Sequence, residues 1–163
     1  MEIWPGRFFL RSMIILFCGI PGSGKTTIAK IVAERLATLG RVQLLSSGKL
    51  KPPVYRKLFR ALAPDEKRAE FVILDATFYK KESRRQVRAL ARGEKVVTVY
   101  LDCSLEVALQ RNRARQPNIS ERAVHIIFHQ MEPPENPSLR IDTATTSAAD
   151  AARKIGEFIQ DQS

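Results

Sequence analysis

Apolar positions along this chain follow two alternating rhythms. Apolar runs at residues 13–17, 42–45, 71–74 and 96–101 have the length of sheet strands, and 139–141 is a shorter fifth. Between them the spacing turns helical. Ile28, Ile31, Val32, Leu36 and Leu39 form one stripe, and Gly40 is placed to end that helix. Val54, Leu58, Phe59 and Leu62 form a second, opened by Pro52 and Pro53, which a first helical turn tolerates. A third helix runs from Lys80 and Lys81 through Arg84, Val87, Leu90 and Ala91 and stops at Gly93. Leu105, Ala108 and Leu109 follow an N-cap at Ser104, and Val124, Ile127, Phe128 and Met131 follow one at Ser120. A capping box of Ser147 and Asp150 opens the last helix, whose inward face is Ala151, Ala152, Ile155, Phe158 and Ile159. Strands alternating with helices predict an α/β fold on a doubly wound parallel sheet. There is no internal repeat, and 13–163 reads as one domain behind an extension at 1–12.

Chemistry enters between the first strand and the first helix. Gly19-Ile20-Pro21-Gly22-Ser23-Gly24-Lys25-Thr26 fits G-x-x-x-x-G-K-[ST], the phosphate-binding loop. In that context backbone N–H groups and the helix dipole hold a polyphosphate, and glycines let the backbone close round it. Gly19, Pro21, Gly22, Ser23, Gly24, Lys25, Thr26 and Thr27 are the expected nucleotide contacts. Lys25 reaches the β- and γ-phosphates and Thr26 ligates Mg²⁺. Asp75 ends a run of four apolar residues, Phe71 to Leu74, where a carboxylate sits near the metal; it can also simply cap the next segment. In open α/β sheets ligands bind beyond the carboxyl ends of strands. Ser47 and Lys51, in the turn after the second strand, are therefore acceptor-site candidates. Lys80 and Arg84, four apart, either clamp an anionic group or lie in solvent. Arg111 and Arg115 share a face at the end of the fourth helix. There they read as lid arginines that stabilise charge on a transferred phosphoryl group, or as a solvated basic helix end.

Charge changes the list of partners. The 163 residues carry a net charge of +10, which favours anionic partners, whether nucleic acid or polyphosphate alone. The second helix is the most lopsided, with Lys51, Arg56, Lys57 and Arg60 crowding its polar side. Cys18 and Cys103 match no metal spacing and read as buried, reduced residues of a cytoplasmic protein. His125 and His129 lack a third ligand and an HExxH pattern, so they read as no metal site. No apolar run approaches membrane-spanning length, and residues 1–12 have no signal-peptide cleavage pattern.

With a lid between the fourth and fifth strands, the chain resembles the small P-loop kinases. Within them it is similar to the kinase domain of O-phosphoseryl-tRNA kinase and its Elongator-associated ATPase relatives. The likeness rests on residues 17–27, on Val72-Ile73-Leu74-Asp75-Ala76-Thr77 with Tyr79 and Arg84, and on residues 100–107 with Arg111, Asn112 and Arg115. It continues through the helix after Ile119 and the loop at Glu132-Pro133. The resemblance implies a three-layer P-loop NTPase fold with a five-stranded parallel sheet in the order 2-3-1-4-5. It further implies ATP and Mg²⁺ as cofactors, and phosphoryl transfer to a hydroxyl on a small or RNA-linked substrate such as tRNA. By position it assigns phosphate and metal to Lys25 and Thr26, metal or its water to Asp75, and lid contacts to Arg111 and Arg115. Two departures stand out. Gly48 takes the place of an Asp in the family's Ser-Asp-x-x-Arg pattern, with Lys51 at the Arg position, and the separate C-terminal tRNA-binding domain has no counterpart in these residues. Adenylylsulfate kinases look similar too, but no Asp-Gly-Asp pattern follows strand two. An RNA-associated NTPase switch is the other reading that Gly48 and the charge leave open.

Overall fold

A computed structural model of the chain describes residues 12–65 and 67–163. Apart from Ser12, the expected N-terminal extension lies outside them. The elements are β1 (Met13–Cys18), α1 (Lys25–Leu36), β2 (Val42–Ser46), α2 (Val54–Arg60), β3 (Phe71–Asp75) and α3 (Lys81–Ala91), then β4 (Lys95–Asp102), α4 (Leu105–Ala114), α5 (Glu121–Gln130), β5 (Leu139–Asp142) and α6 (Ala148–Asp161). The sheet has five strands in the order β2-β3-β1-β4-β5, all parallel, as expected.

β1 is central and every residue in it is buried. Side chains alternate across a strand, so the run splits between two cores. Met13, Ile15 and Phe17 face Ile28, Val32 and Leu36 of α1 and Ala151, Ala152, Ile155 and Ile159 of α6. Ile14, Leu16 and Cys18 face Leu58 of α2, Phe78, and Val87 and Ala91 of α3. α4 and α5 form a third, smaller cluster, with Ala108 and Val124 against Ile20 and Cys103. Ser104, Ser120 and Ser147 each accept a hydrogen bond from the backbone N–H three residues on, so all three expected caps are made.

Three local expectations fail. α1 ends at Leu36, and Leu39 is 44% exposed. Gly40 is not a left-handed stop. Its N–H returns to the Leu36 carbonyl, and a Cβ there would press on Glu70 and the Phe71 ring at 3.3 Å, so the glycine is needed for close approach. Pro52 and Pro53 precede α2 instead of sitting in its first turn. Phe128 leaves the inward stripe of α5 and is 37% exposed, because only Val124, Ile127 and Met131 meet the small α4–α5 core. No described helix is long and apolar enough to cross a membrane.

Leu16 is 1% exposed at the centre of the sheet. Leu16→Ala should cost about 2–5 kcal/mol through lost burial and a residual cavity. Urea unfolding should show a lower midpoint at unchanged slope; a midpoint equal to wild type would refute the central placement of β1.

Candidate active site

Parallel pairing brings the chemistry to one end of the sheet. Phe17 pairs with Asp75 and Ser46 pairs with the same residue, so three strand tips meet where β1 turns into the glycine-rich loop. Gly22 has φ 86°, and a Cβ on it would meet the Ala108 carbonyl oxygen at 2.4 Å. Gly24 has φ 93° and caps α1 in a left-handed conformation no ordinary residue holds cheaply. A cleft of about 650 Å³ opens here. Pro21, Gly22, Ser23, Gly24, Lys25, Thr26 and Thr27 line its floor, so seven of the eight expected nucleotide contacts share it. Gly19 sits behind them, its N–H donating to the Thr77 carbonyl at 3.0 Å.

Lys25 is buried, and its ammonium donates to the Ile20 carbonyl at 2.8 Å and to Ser23 Oγ at 3.3 Å. Among the described residues no carboxylate neutralises it by direct contact. Burial pulls its pKa down to about 8, partly opposed by the more distant Asp75. Asp75 is 2% exposed and turns toward the loop, where Thr26 Oγ1 donates to its Oδ2 at 2.7 Å. Among the described residues there is no cluster of three acidic, His or Cys side chains able to cage a metal, which includes His125 and His129. Their rings lie 6.3 Å apart on the outer face of α5. Cys18 and Cys103 are buried free thiols, and burial pushes Cys18 up to about 11.

The two candidate arginines at the end of the fourth helix differ. Arg111 donates to the Gly22 carbonyl at 3.3 Å, to Thr143 Oγ1 at 3.0 Å and to the Thr143 carbonyl. Thr143 is buried and its hydroxyl donates to the Ser23 carbonyl at 2.8 Å. Arg111 is thus a brace tying α4 to the glycine loop and to the end of β5. Arg115 lines the same cleft but is exposed and makes no such bonds among the described residues. Between them Asn112, 1% exposed, exchanges two hydrogen bonds with the Ile119 backbone and pins the loop that joins α4 to α5.

The four acceptor-side candidates separate. Ser47 lines the cleft beside Gly48. Lys51 is exposed beyond its rim, and its carbonyl takes the Lys57 ammonium at 2.6 Å. Lys80 faces Glu132 at 3.9 Å, outside the cleft lining. Arg84 is neither a clamp for an anion nor in solvent. It is 4% exposed, and its guanidinium donates to the Phe78 carbonyl at 2.7 Å and the Glu132 carbonyl at 2.6 Å. The reason is the turn after β3. Phe78 is fully buried at φ 41°, a conformation costly for a side chain of its size. Arg84 and Cys18 Sγ hold its carbonyl, and Tyr55 Oη takes its N–H at 3.2 Å.

Tyr55 and Thr143 escape sequence reading. Tyr55 on α2 reaches Thr77 Oγ1 at 3.2 Å, and Thr77 lines the cleft. Thr143 could have been sought, because it directly follows the carboxyl end of β5. Tyr55 carries no such signal.

A family model described as an AAA domain matches residues 48–134, just over half of the chain and entirely after the glycine-rich loop. The loop and the match are therefore separate signals. An adenylyl-sulfate kinase of Clostridium kluyveri is 30% identical over 90% of this chain and 83% of its own length. The chain belongs to this P-loop kinase family. An L-seryl-tRNA(Sec) kinase of Methanococcus maripaludis is 23% identical over 91% of the chain and 65% of that protein. The fold matches the Mycobacterium tuberculosis APS kinase CysC in complex with AMPPNP and APS, at TM-score 0.72 and 18% identity, covering 92% of this chain and 98% of that one.

As a P-loop kinase the chain binds nucleotide, and the buried ammonium makes that binding pH-dependent. Only protonated Lys25 attracts phosphate, and bound phosphate raises its pKa above the free value of about 8. Affinity for an adenine nucleotide should therefore fall by about half between pH 7 and 8. Above that it should fall by up to about tenfold per pH unit, with proton uptake on binding. Calorimetry in two buffers measures both; affinity that rises above pH 8 would contradict the assignment. Arg84→Ala removes the guanidinium donor from the Phe78 and Glu132 carbonyls and should cost about 1–3 kcal/mol. The same loss in Arg84→Lys, with nucleotide affinity kept, would mark its fork geometry as structural.

Proposed function

We propose that the cleft binds ATP with Mg²⁺ and that the γ-phosphoryl group passes to a hydroxyl on a small nucleotide-like or RNA-linked acceptor. The observation that carries this reading is the Thr26–Asp75 contact at 2.7 Å beside the buried Lys25 ammonium. Two oxygen donors at the mouth of a phosphate loop suit a hard cation that completes its shell with phosphate and water. Bound there, Mg²⁺ would neutralise charge on the β- and γ-phosphates. Lys25 draws the same phosphates into the loop. Arg111 keeps the loop and α4 in register, and Arg115, exposed at the cleft, is free to meet the transferred group. The α4–α5 segment then serves as the lid that excludes water.

In the transfer the acceptor O–H bond breaks and an O–P bond forms. The bond from the γ-phosphorus to the β-bridging oxygen breaks, and ADP leaves. Asp75 is the only carboxylate among the described lining residues, and this supports it as the group that takes the proton. Gly48 offers none. Phosphoryl transfer rests mainly on positioning and electrostatics, and tolerates a weak base. Relatives named as adenylyl-sulfate kinases and as an L-seryl-tRNA(Sec) kinase support both kinds of acceptor. Use of ATP and two free buried thiols fit a cytoplasmic protein.

Gly48 also favours a second reading, an RNA-stimulated NTPase without an acceptor. One assay separates them. With γ-labelled ATP and Mg²⁺, label should move to adenylyl sulfate, tRNA or 5′-hydroxyl RNA. Lys25→Ala should lower that transfer by about 10² or more. Label recovered only as free phosphate, and more of it with RNA, would select the switch.

A further inference from the structure

Positive charge is not spread evenly over this molecule. From Arg41 to Pro64 the chain has six Lys and Arg and no Asp or Glu. That stretch builds β2, an edge strand of the sheet, and α2 beside it. Elsewhere many surface cations meet carboxylates, although Lys30, Arg88, Arg92, Arg122 and Lys154 meet none among the described residues. Arg113 bonds Glu121 at 2.5 Å, Arg140 bonds Asp102 at 2.7 Å, Arg153 bonds Glu157 at 3.2 Å, and Lys81 faces Glu135 at 3.8 Å. On the α2 side, Lys49, Lys51, Arg56, Arg60 and Lys67 are partnered by no carboxylate of the described residues.

These cations run from the cleft to the opposite end of the sheet. Lys49 and Lys51 follow Ser47 and Gly48, which line the cleft. Arg56 and Arg60, four apart on α2, share an exposed face. Arg60 and Lys67 then line a groove of about 550 Å³ at the start of β2 and β3, with Arg41 and Arg68. Its single described carboxylate, Asp65, accepts the Lys67 backbone N–H at 2.8 Å. The cleft is also open where this track enters it. A Cβ at Gly48 would meet nothing within 4 Å.

We propose that the face of β2, α2 and the α2–β3 connection docks RNA, and that the bound strand presents an RNA-linked hydroxyl at the Ser47–Gly48 lip. A row of unpaired cations tracks a phosphate backbone. A membrane surface would need apolar anchors among the cations. The exposed large apolar residues, Leu39, Leu90, Ile126 and Phe128, belong to neither α2 nor its flanking loops. With no aromatic side chain fully exposed on α2, recognition follows backbone and shape more than base identity. Delivery of the hydroxyl rests on the kinase reading of the cleft; docking does not.

The test measures docking without turnover. Wild-type protein should bind a fluorescent oligoribonucleotide and a tRNA transcript, with log affinity falling against log salt at a slope of about −3 for four or five phosphates. Arg56→Gln with Arg60→Gln should weaken both and flatten the slope by about 1.4. These positions are exposed, so the fold and affinity for a non-hydrolysable ATP analogue should be kept. RNA affinity unchanged in the double variant, or binding only to phosphatidylserine vesicles, would overturn docking. Label from γ-labelled ATP should enter RNA with wild type and fail to do so with the double variant. Docked RNA that never takes label would overturn delivery. Full transfer to adenylyl sulfate without RNA binding would sink this inference alone, and no transfer to any acceptor would sink the kinase reading while leaving docking to the binding data.

Discussion

A buried ammonium without a directly bound carboxylate sets the terms for the whole site. Taking the Lys25 charge out of water is expensive, and backbone and hydroxyl oxygens of its own loop recover only part of that cost. Pairing it directly with Asp75 would be cheaper for the folded chain and would neutralise the charge a phosphate must find. Asp75 is kept for Thr26 instead, at 2.7 Å. Opposite charges thus stay near each other yet apart, and an anion with its cation can enter between them.

Holding that arrangement takes more than the loop. The parallel register of β1 with β3 fixes Asp75 along the strand axis. The turn after β3 would relax if its strained Phe78 were free to move. Arg84, Tyr55 and Cys18 hold it from three different elements. On the other side Arg111 and Thr143 tie α4 and the end of β5 to the Gly22 and Ser23 carbonyls. Polar side chains that look functional in sequence are thereby divided. Some are consumed in holding backbone carbonyls, and others keep their donors for a ligand.

That division explains what can be read without a structure. The loop and the three serine caps are legible because each rests on local spacing, whereas the strand order comes through the family resemblance. Asp75 is legible as the end of a fully buried run. Arg84 is not, because helical spacing gives a residue's face but not what lies against it. Here the Glu132 segment covers that face, with its N–H on the Tyr79 carbonyl at 2.8 Å and its carboxylate on the Lys81 N–H at 2.6 Å. Phe128 departs for the reverse reason, since the core beside α5 is too small to cover a fourth apolar residue. Leu39 departs because a periodic stripe does not record where the helix stops.

The same physics bears on the acceptor. On the nucleotide side of the cleft Lys25, Thr26, Arg111 and Thr143 have fixed partners, so the loop is held in one shape. On the acceptor side Ser47 and Gly48 form a lip with no wall at Gly48, and the next cations stand beyond the rim. A fully enclosed small acceptor would need contacts that this lip does not supply, and binding energy has to come from somewhere remote. A long polyanion can draw it from outside the cleft, so the residue missing at position 48 and the excess charge on α2 become two sides of one arrangement.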